Sequence, residues 1–236
     1  MIYNKLIEIL NANSSKEALK IGLIDPDKKN EESLLRQIQY IEDNSFIAIF
    51  CGGSIMMDSK YNDRIEYIKK HTQLPFIGFP SSISQINKNF DAILFMSLIS
   101  GRNPQYLIGE QVLSAPVIHD LSIETIPIGY ILLSSGRKTT VELISGTNGI
   151  PVENHDVILS HALASQYLGH KMIYLECGSN ADSIIDVKLL SKISSAVDIP
   201  IIVGGGVKND KDIDILAKNG ASFIVSGSMI EAKSKL

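Results

Sequence analysis

The sequence predicts an α/β protein of the modified (β/α)8 TIM-barrel class, built as a single domain over residues 1–236. Short apolar, β-branched runs alternate with amphipathic segments along the whole chain, which is typical of βα units and a parallel sheet. There are eight such runs, and 236 residues are close to the roughly 250 that a barrel of this class needs. The last two runs end in glycine, as do the phosphate-binding loops after the final two strands of many barrels.

The predicted elements can be placed in chain order. Runs that are apolar at nearly every position indicate strands buried on both faces. They predict strands at residues 19–25, 46–51, 76–79, 92–97, 128–133, 172–176, 199–203 and 222–226. Amphipathic periodicity predicts helices between them, at residues 31–43, 61–70, 104–114, 156–168, 184–197 and 210–218.

Two segments depart from this alternation. The stretch between the third and fourth strands is too short for a full helix with its loops, so we expect a degenerate third helix. Residues 134–151 alternate apolar and polar side chains and are rich in Gly, Ser and Thr. They predict a hairpin or a long loop at the top of the barrel, and long loops in compact domains usually have a function.

Composition excludes several classes of function. The net charge of −4 gives no overall basic field for nucleic acid. No apolar run reaches the roughly 18–20 residues of a membrane span, so a lipid substrate would be met by peripheral contact with a membrane surface. The two cysteines stand alone, without metal-type spacing, which favours a reducing compartment and predicts a cytoplasmic protein.

Polar residues follow the first two predicted strands. Active sites of these barrels lie at the carboxyl ends of the strands, where Asp25 and Ser54 are expected. A carboxylate and a hydroxyl can hold Mg2+, which takes one or two protein oxygens together with substrate phosphates. The alternative is that D-P-D at 25–27 is a turn and helix cap.

Glu176 and the glycines form the other half of the predicted site. A carboxylate that ends a buried strand is costly to desolvate unless it has a partner or a task, and a structural ion pair is the alternative. Gly204–Gly206 lose backbone entropy on folding, and close approach to a phosphate would explain them. Gly227 and Ser228 form an equivalent loop after the last strand.

Motifs along nearly the whole chain resemble one known family. They are IDPDK at 24–28, GGS at 52–54, SGRNPQYLIG at 100–109, ETIPIGYIL at 124–132, HALA at 161–164, YLECGS at 174–179, VGGGV at 203–207 and IVSGS at 224–228. In this order they resemble the geranylgeranylglyceryl phosphate synthases, a group that includes bacterial heptaprenylglyceryl phosphate synthases. RNPQYLIG and YLE-x-GS are its most specific elements.

The resemblance implies a (β/α)8 barrel whose third helix is missing or replaced. It implies Mg2+-dependent transfer of a polyprenyl group, with geranylgeranyl diphosphate the favoured donor, to sn-glycerol 1-phosphate with release of diphosphate. Asp25 and Ser54 would bind the metal, and Glu176 with Tyr174 would be catalytic. The glycerol phosphate site would comprise Tyr174, Leu175, Glu176, Cys177, Gly178, Ser179, Asn180, Gly204, Gly205, Gly206, Gly227 and Ser228. The family forms dimers or hexamers, so a homo-oligomer is expected.

Two other functions compete with this one. A phosphate-binding barrel isomerase or cyclase would share the glycine loops, but it would not require YLE-x-GS or RNPQY. A non-catalytic barrel that binds a phospholipid precursor would not need the Asp25, Ser54 and Glu176 side chains.

Overall fold

A computed structural model describes residues 1–14, 17–134, 138–178, 181 and 183–234. Its strands are β1 Lys20–Ile24, β2 Ala48–Cys51, β3 Phe76–Gly78, β4 Ala92–Leu98, β5 Glu124–Ser134, β6 Ile150–Pro151, β7 Met172–Glu176, β8 Ile201–Gly204 and β9 Phe223–Ser226. Eight of them form a parallel ring in the order β4-β3-β2-β1-β9-β8-β7-β5, which the β4–β5 pairing closes. The predicted barrel is confirmed.

Helices cover the outside of this barrel. They are α1 Ile2–Ala12, α2 Leu34–Asp43, α3 Tyr61–His71, α4 Glu110–Asp120, α5 Thr140–Ser145, α6 His155–Tyr167, α7 Val187–Ser194, α8 Asp210–Lys218 and α9 Ser228–Lys233. The residues predicted as the start of two helices adopt other turns, a 3-10 turn at Lys28–Ser33 and a π turn at Gln105–Gly109.

The third βα unit lacks a full helix, as the sequence predicted. A single 3-10 turn, Ile83–Gln85, stands between β3 and β4. Gln85 is buried, and its side chain donates to the Gly53 carbonyl at 2.7 Å and accepts from the Ser81 amide at 2.9 Å. The short segment is therefore fixed to the loop after β2 and leaves one side of the barrel uncovered by a helix.

The prediction of a hairpin within residues 134–151 is wrong. This stretch contains α5, and β6 pairs with β5 in parallel, whereas the strands of a hairpin are antiparallel. Thr139 and Glu142 form a reciprocal capping box at the start of α5, and Gly146 ends it at φ 63°. The T-x-x-E spacing was the sequence signal for this helix; residues 135–137 lie outside the described residues.

Alternation along the strands separates two apolar clusters. On β7, Met172 and Tyr174 belong to the barrel interior, while Ile173 and Leu175 face the helices. The same period of two places Glu176 next in the interior row. At the opposite end of the barrel, α1 inserts Leu6 into the interior cluster. Within the described residues, no helix has both the length and the apolar character needed to cross a membrane.

Candidate active site

The carboxyl ends of the barrel strands surround a cavity of about 550 Å³. Six of the residues predicted from the sequence line it, and they come from the ends of four different strands. They are Asp25, Ser54, Glu176, Gly178, Gly227 and Ser228. The structure therefore brings the proposed metal ligands and the proposed base to one cavity.

Asp25 continues the interior row of β1, two residues beyond Leu23. Its Oδ2 pairs with Lys29 Nζ at 2.9 Å, and its Oδ1 lies directly against Gly53, where a Cβ would overlap it. Burial raises the pKa of the Asp25 carboxyl, and the hydrogen bond from Lys29 opposes that shift. The D-P-D motif also contains a cap, because the Asp27 side chain accepts from the Lys29 amide at 3.1 Å. The cap considered from the sequence is therefore present at Asp27, and Asp25 is left facing the cavity.

The donor set beside Asp25 fits Mg2+. Ser54 lines the same cavity, and its loop touches the Asp25 carboxylate through Gly53. No group of three or more His, Cys, Asp or Glu side chains that could hold a metal occurs among the described residues. Mg2+ needs no such cage, because it usually keeps several waters and shares its remaining positions with substrate phosphates.

Glu176 is buried at the end of β7, with 8% of its surface exposed. Its Oε1 accepts the Gly178 amide at 2.6 Å, and the hydroxyls of Tyr130 and Tyr174 also hydrogen-bond to the carboxylate. Burial raises the pKa of Glu176, while these three donors oppose the shift. Within the described part of the chain it has no cationic partner, so the structural ion pair considered from the sequence is not what holds it.

Tyr130 is a site residue that the sequence reasoning missed. It pairs in register with Tyr174 on the neighbouring strand, and the two rings stack with centroids 5.2 Å apart. Burial raises the pKa of both phenols well above the ordinary value, so both remain protonated donors to Glu176. Tyr130 lines the cavity together with Phe79, whereas Tyr174 is 1% exposed and lies beneath. Tyr174 therefore contacts Glu176 but does not itself line the cavity, as a substrate-binding residue would.

The triple glycine has a packing reason that the sequence did not reveal. A Cβ at Gly204 would overlap the Tyr174 hydroxyl. A Cβ at Gly205 would lie 2.6 Å from the Gly178 carbonyl oxygen, and one at Gly206 would overlap the backbone of Ser183. Each glycine is thus required by protein atoms, and the loops after β7 and β8 fit together without side chains between them.

An apolar groove leads out of the cavity along the side of the barrel. It passes between the Ile83–Gln85 turn and α4, where the third helix is missing, and Phe95, Ser114 and Ile118 line it. Phe79, Phe95, Met96 and Tyr106 also line the cavity or groove. The neighbouring side chains of Ile128 and Ile99 are excluded from it, because Ile128 lies fully buried in the barrel interior and Ile99 packs against the outer core.

Comparison with known proteins identifies the family. Residues 13–236 match the PcrB family model. This chain belongs to the PcrB family. It is 42% identical over 227 residues to the geranylgeranylglyceryl phosphate synthase of Flavobacterium johnsoniae, covering 96% of this chain and 93% of that protein. It is 37% identical over 222 residues to the enzyme of the same name from Methanosphaera stadtmanae, covering 94% and 90%.

A solved structure of this type superimposes on nearly the whole chain. It is the (S)-3-O-geranylgeranylglyceryl phosphate synthase of Thermoplasma acidophilum in complex with sn-glycerol-1-phosphate. The TM-score is 0.89 at 32% identity, and the match covers 98% of this chain and 92% of that one. The modified barrel is thus shared with a synthase of known structure.

Some of the predicted glycerol phosphate residues do not line the cavity of this PcrB-family chain. The side chains of Leu175 and Cys177 point outward to the helix layer, so only their backbone is available to a ligand. Gly204–Gly206 do not line the cavity wall and pack instead against Tyr174, Gly178 and Ser183. Ser179 and Asn180 lie outside the described residues.

Proposed function

We propose that this chain joins sn-glycerol 1-phosphate to a polyprenyl diphosphate through an ether bond and releases diphosphate. Geranylgeranyl diphosphate is the donor that we favour. The observation that carries the proposal is a buried glutamate with three hydrogen-bond donors, placed where a polar cavity meets an apolar groove. The names of the relatives and the glycerol phosphate complex of the Thermoplasma enzyme support the same reaction.

The groove favours a prenyl donor over the alternatives. A barrel isomerase or cyclase that acts on a small sugar phosphate has no use for an apolar groove that leaves the cavity beside α4. The non-catalytic alternative does not explain why a carboxylate is kept buried at the cavity wall without a cationic partner in the described residues. Both are therefore weaker accounts of this site.

In the proposed reaction the allylic C–O bond breaks, and its electron pair leaves with the diphosphate. The glycerol hydroxyl oxygen then forms the new C–O bond at the allylic carbon. Asp25 and Ser54 would hold Mg2+, which when bound neutralises the negative charge of the leaving diphosphate. Lys29, now paired with Asp25, adds a positive charge at the same wall of the cavity.

Glu176 receives the proton of the attacking hydroxyl. Burial raises its pKa, which makes the carboxylate a better proton acceptor than an exposed glutamate, and Tyr130 and Tyr174 fix its orientation. The ring of Phe79 lies 6.2 Å from that of Tyr130, and both face the cavity. These aromatic faces and the carboxylate stabilise positive charge that develops on the allylic carbon.

The phosphate of glycerol phosphate is proposed to bind where the glycine loops reach the cavity, at Gly178, Gly227 and Ser228, with Gly205 and Gly206 packed next to them. Gly178, Gly205 and Gly206 all have positive φ, at 94°, 88° and 73°. Successive amides in such conformations can form a concave anion site. Gly227 and Ser228 close the cavity on the neighbouring strand.

The Glu176→Gln variant tests the function at its catalytic residue. It keeps the size of the side chain and removes the base, so we expect turnover to fall by about two orders of magnitude or more. Calorimetry should show sn-glycerol 1-phosphate binding largely retained. Wild-type turnover in this variant would remove Glu176 from the mechanism.

The metal site is tested by Asp25→Asn. The neutral amide is a weaker ligand for a hard cation, so we expect turnover to require a higher Mg2+ concentration. An unchanged Mg2+ titration would remove Asp25 from the site. Ser160→Ala, on the exposed side of α6, serves as a control that should titrate like the wild type.

We further propose that the chain forms a homo-oligomer in the cytoplasm. The outer side of α4 is apolar, since Val112, Leu113 and Val117 are 62%, 54% and 39% exposed, and a second copy would cover it. Light scattering of the purified protein should give more than the monomer mass, and Val112→Asp should lower the measured mass. A wild-type protein of monomer mass would contradict this proposal.

The proposed cytoplasmic location rests on the two cysteines, whose buried free thiols suit a reducing compartment. Peripheral contact with a membrane surface stays a prediction.

A further inference from the structure

A buried arginine lies beside the proposed metal site without reaching the cavity. Arg64, on α3, is 4% exposed. Its Nε and Nη2 donate to Oε2 of Glu31 at 3.2 and 2.6 Å. Its Nη1 and Nη2 donate to the two carboxylate oxygens of Asp58 at 2.8 and 2.7 Å, and Nη1 also donates to the Pro26 carbonyl at 3.3 Å. The five bonds equal the five N–H donors that a guanidinium has.

These partners belong to the two loops that carry Asp25 and Ser54. Pro26 follows Asp25 directly, and Glu31 lies in the 3-10 turn of the same loop. Asp58 stands four residues after Ser54, in the loop between β2 and α3. Arg64 thus ties both loops to one helix.

Both partners of Arg64 are held in their charged form. The hydrogen bonds from Arg64 lower the pKa of Glu31 and bring that of Asp58 down to about 2, so both carboxylates are charged at neutral pH. A bidentate bond fixes direction as well as distance. Lysine would keep the charge and lose the planar fork.

We propose that Arg64 is a positioning residue, which holds the loops of Asp25 and Ser54 in the relative placement that binding of a metal–diphosphate requires. This proposal rests on the proposed function for the identity of the ligand. The direct contact of Gly53 with the Asp25 carboxylate shows how closely the two loops must be set. Movement of either loop would change the separation of the two proposed ligands.

The test uses Arg64→Lys and a control from the same helix. Lys69→Met removes the ion pair between Lys69 Nζ and Asp91 Oδ1, 2.6 Å apart. Asp91 directly precedes β4, at the end of the barrel away from the cavity. Both variants lose a pairing of α3, but only Arg64→Lys loses the tie between the two loops.

The readouts separate positioning from general stability. Isothermal titration calorimetry measures binding of inorganic diphosphate in the presence of MgCl2 and, separately, of sn-glycerol 1-phosphate. Disturbing a residue that orients metal ligands typically weakens metal binding 10–100-fold, so we expect diphosphate affinity to fall about tenfold or more. Glycerol phosphate affinity should stay within about twofold, since the glycine loops are untouched. In turnover, KM for the prenyl diphosphate should rise more than kcat falls.

Asp58→Asn gives a second measurement of the same tie. The Asp58 side chain is 27% exposed, so this change removes the negative charge of one partner of Arg64 and keeps the buried guanidinium itself. We expect a smaller loss of diphosphate affinity in the same direction. This variant decides the question if Arg64→Lys does not fold.

Two results would overturn the proposal. One is diphosphate affinity in the folded variants equal to that of Lys69→Met, with only the melting temperature lowered. The other is an equal loss of affinity for both ligands. Because calorimetry needs no turnover, a wild type that makes no ether product would defeat the proposed function and leave this test intact.

Discussion

At the scale of single residues, the site is organised around Glu176. Its carboxylate sits at the end of an interior row of apolar side chains, and among the described residues its hydrogen-bond donors are Tyr130, Tyr174 and the Gly178 amide. Three hydrogen bonds do not fully replace water for a buried charge, which is why the pKa of Glu176 is raised. The ionised carboxylate therefore lowers the free energy of unfolding, and the proposed function requires this cost.

That environment predicts a pH-dependent gain in stability for Glu176→Gln. The folded pKa lies above the unfolded one, so the contribution of Glu176 to stability is most favourable below the unfolded pKa. It is lost as pH rises through the folded pKa. At pH 7–8 we expect the variant to melt roughly 2–4 °C higher than the wild type, as about 1 kcal/mol does in a protein of this size.

Melting curves between pH 4.5 and 8 check this sign. The stability difference between variant and wild type should shrink as the pH is lowered. A variant that is less stable than the wild type at pH 8 would show that the ionised glutamate stabilises the fold, contrary to this account.

Gly204→Ala tests the packing behind the base. The added methyl group would overlap the Tyr174 hydroxyl, so Tyr174 must move and Glu176 loses a donor. Small misplacements of catalytic groups can cost a factor of about 100, and we expect kcat to fall at least tenfold.

Val203→Ala provides the control for that substitution. Val203 precedes Gly204 on β8 and faces the helices, so its truncation lowers stability without touching Tyr174. Measured side by side, Gly204→Ala should lose kcat and Val203→Ala should lose mainly melting temperature. Wild-type kcat in Gly204→Ala would separate Tyr174 from catalysis.

Residues differ in how far the sequence reveals their role. Glu176 was predictable, because a carboxylate at the end of an apolar run is conspicuous. Tyr130 was not, since it lies inside a predicted strand and its partner is on the next strand in space. Arg64 was equally hidden, as one charged residue within an amphipathic helix whose partners are 6 and 33 residues away.

At the scale of elements, the missing third helix creates the groove. The segment between β3 and β4 forms one 3-10 turn, and α4 supplies the facing wall. That wall is lined by Glu110, Gln111, Ser114 and Ile118. The eight-residue step from Glu110 to Ile118 corresponds to about 12 Å along the helix. The groove therefore follows α4 over two turns away from the catalytic cavity.

Ser114→Phe should shift the preference of the protein towards prenyl diphosphates with shorter chains. Ser114 is buried in the middle of the wall, and a phenyl ring there fills space that a prenyl chain would occupy. We expect activity with geranylgeranyl diphosphate to fall about tenfold relative to farnesyl diphosphate, which corresponds to 1.4 kcal/mol of lost binding.

Ser160→Phe is the matched control for this change. Ser160 is exposed on α6 and bonds its own helix backbone at 2.7 Å, much as Ser114 bonds the Gln111 carbonyl at 3.3 Å. Its donor preference should equal that of the wild type. An unchanged preference in Ser114→Phe would place the tail outside this groove.

Elements also differ in how well the sequence predicted them. The degenerate third unit was predictable from the length of the segment alone. The six-residue α5 was missed because it is too short to show a helical period, although its capping box was visible as T-x-x-E. The six-residue α9 was missed for the same reason, and it begins directly after the last strand.

At the scale of the whole molecule, barrel closure places residues from distant parts of the chain around one cavity. Asp25 and Ser228 stand near opposite ends of the sequence, yet they line the same wall because β1 pairs with β9. At the opposite end of the barrel, the amides of Ile2 and Tyr3 donate to Glu124 at 2.5 and 3.0 Å and hold α1 in place. This closure was predictable from eight apolar runs, whereas the contacts between loops were not.

The most direct test of the central claim is a product assay on the wild-type protein. Radiolabelled sn-glycerol 1-phosphate is incubated with Mg2+ and polyprenyl diphosphates from farnesyl to heptaprenyl, and the organic phase is analysed. The account predicts a Mg2+-dependent, organic-soluble phosphoether, made most rapidly from geranylgeranyl diphosphate and lost in Glu176→Gln. No product from any donor, with sn-glycerol 1-phosphate still bound, would contradict it.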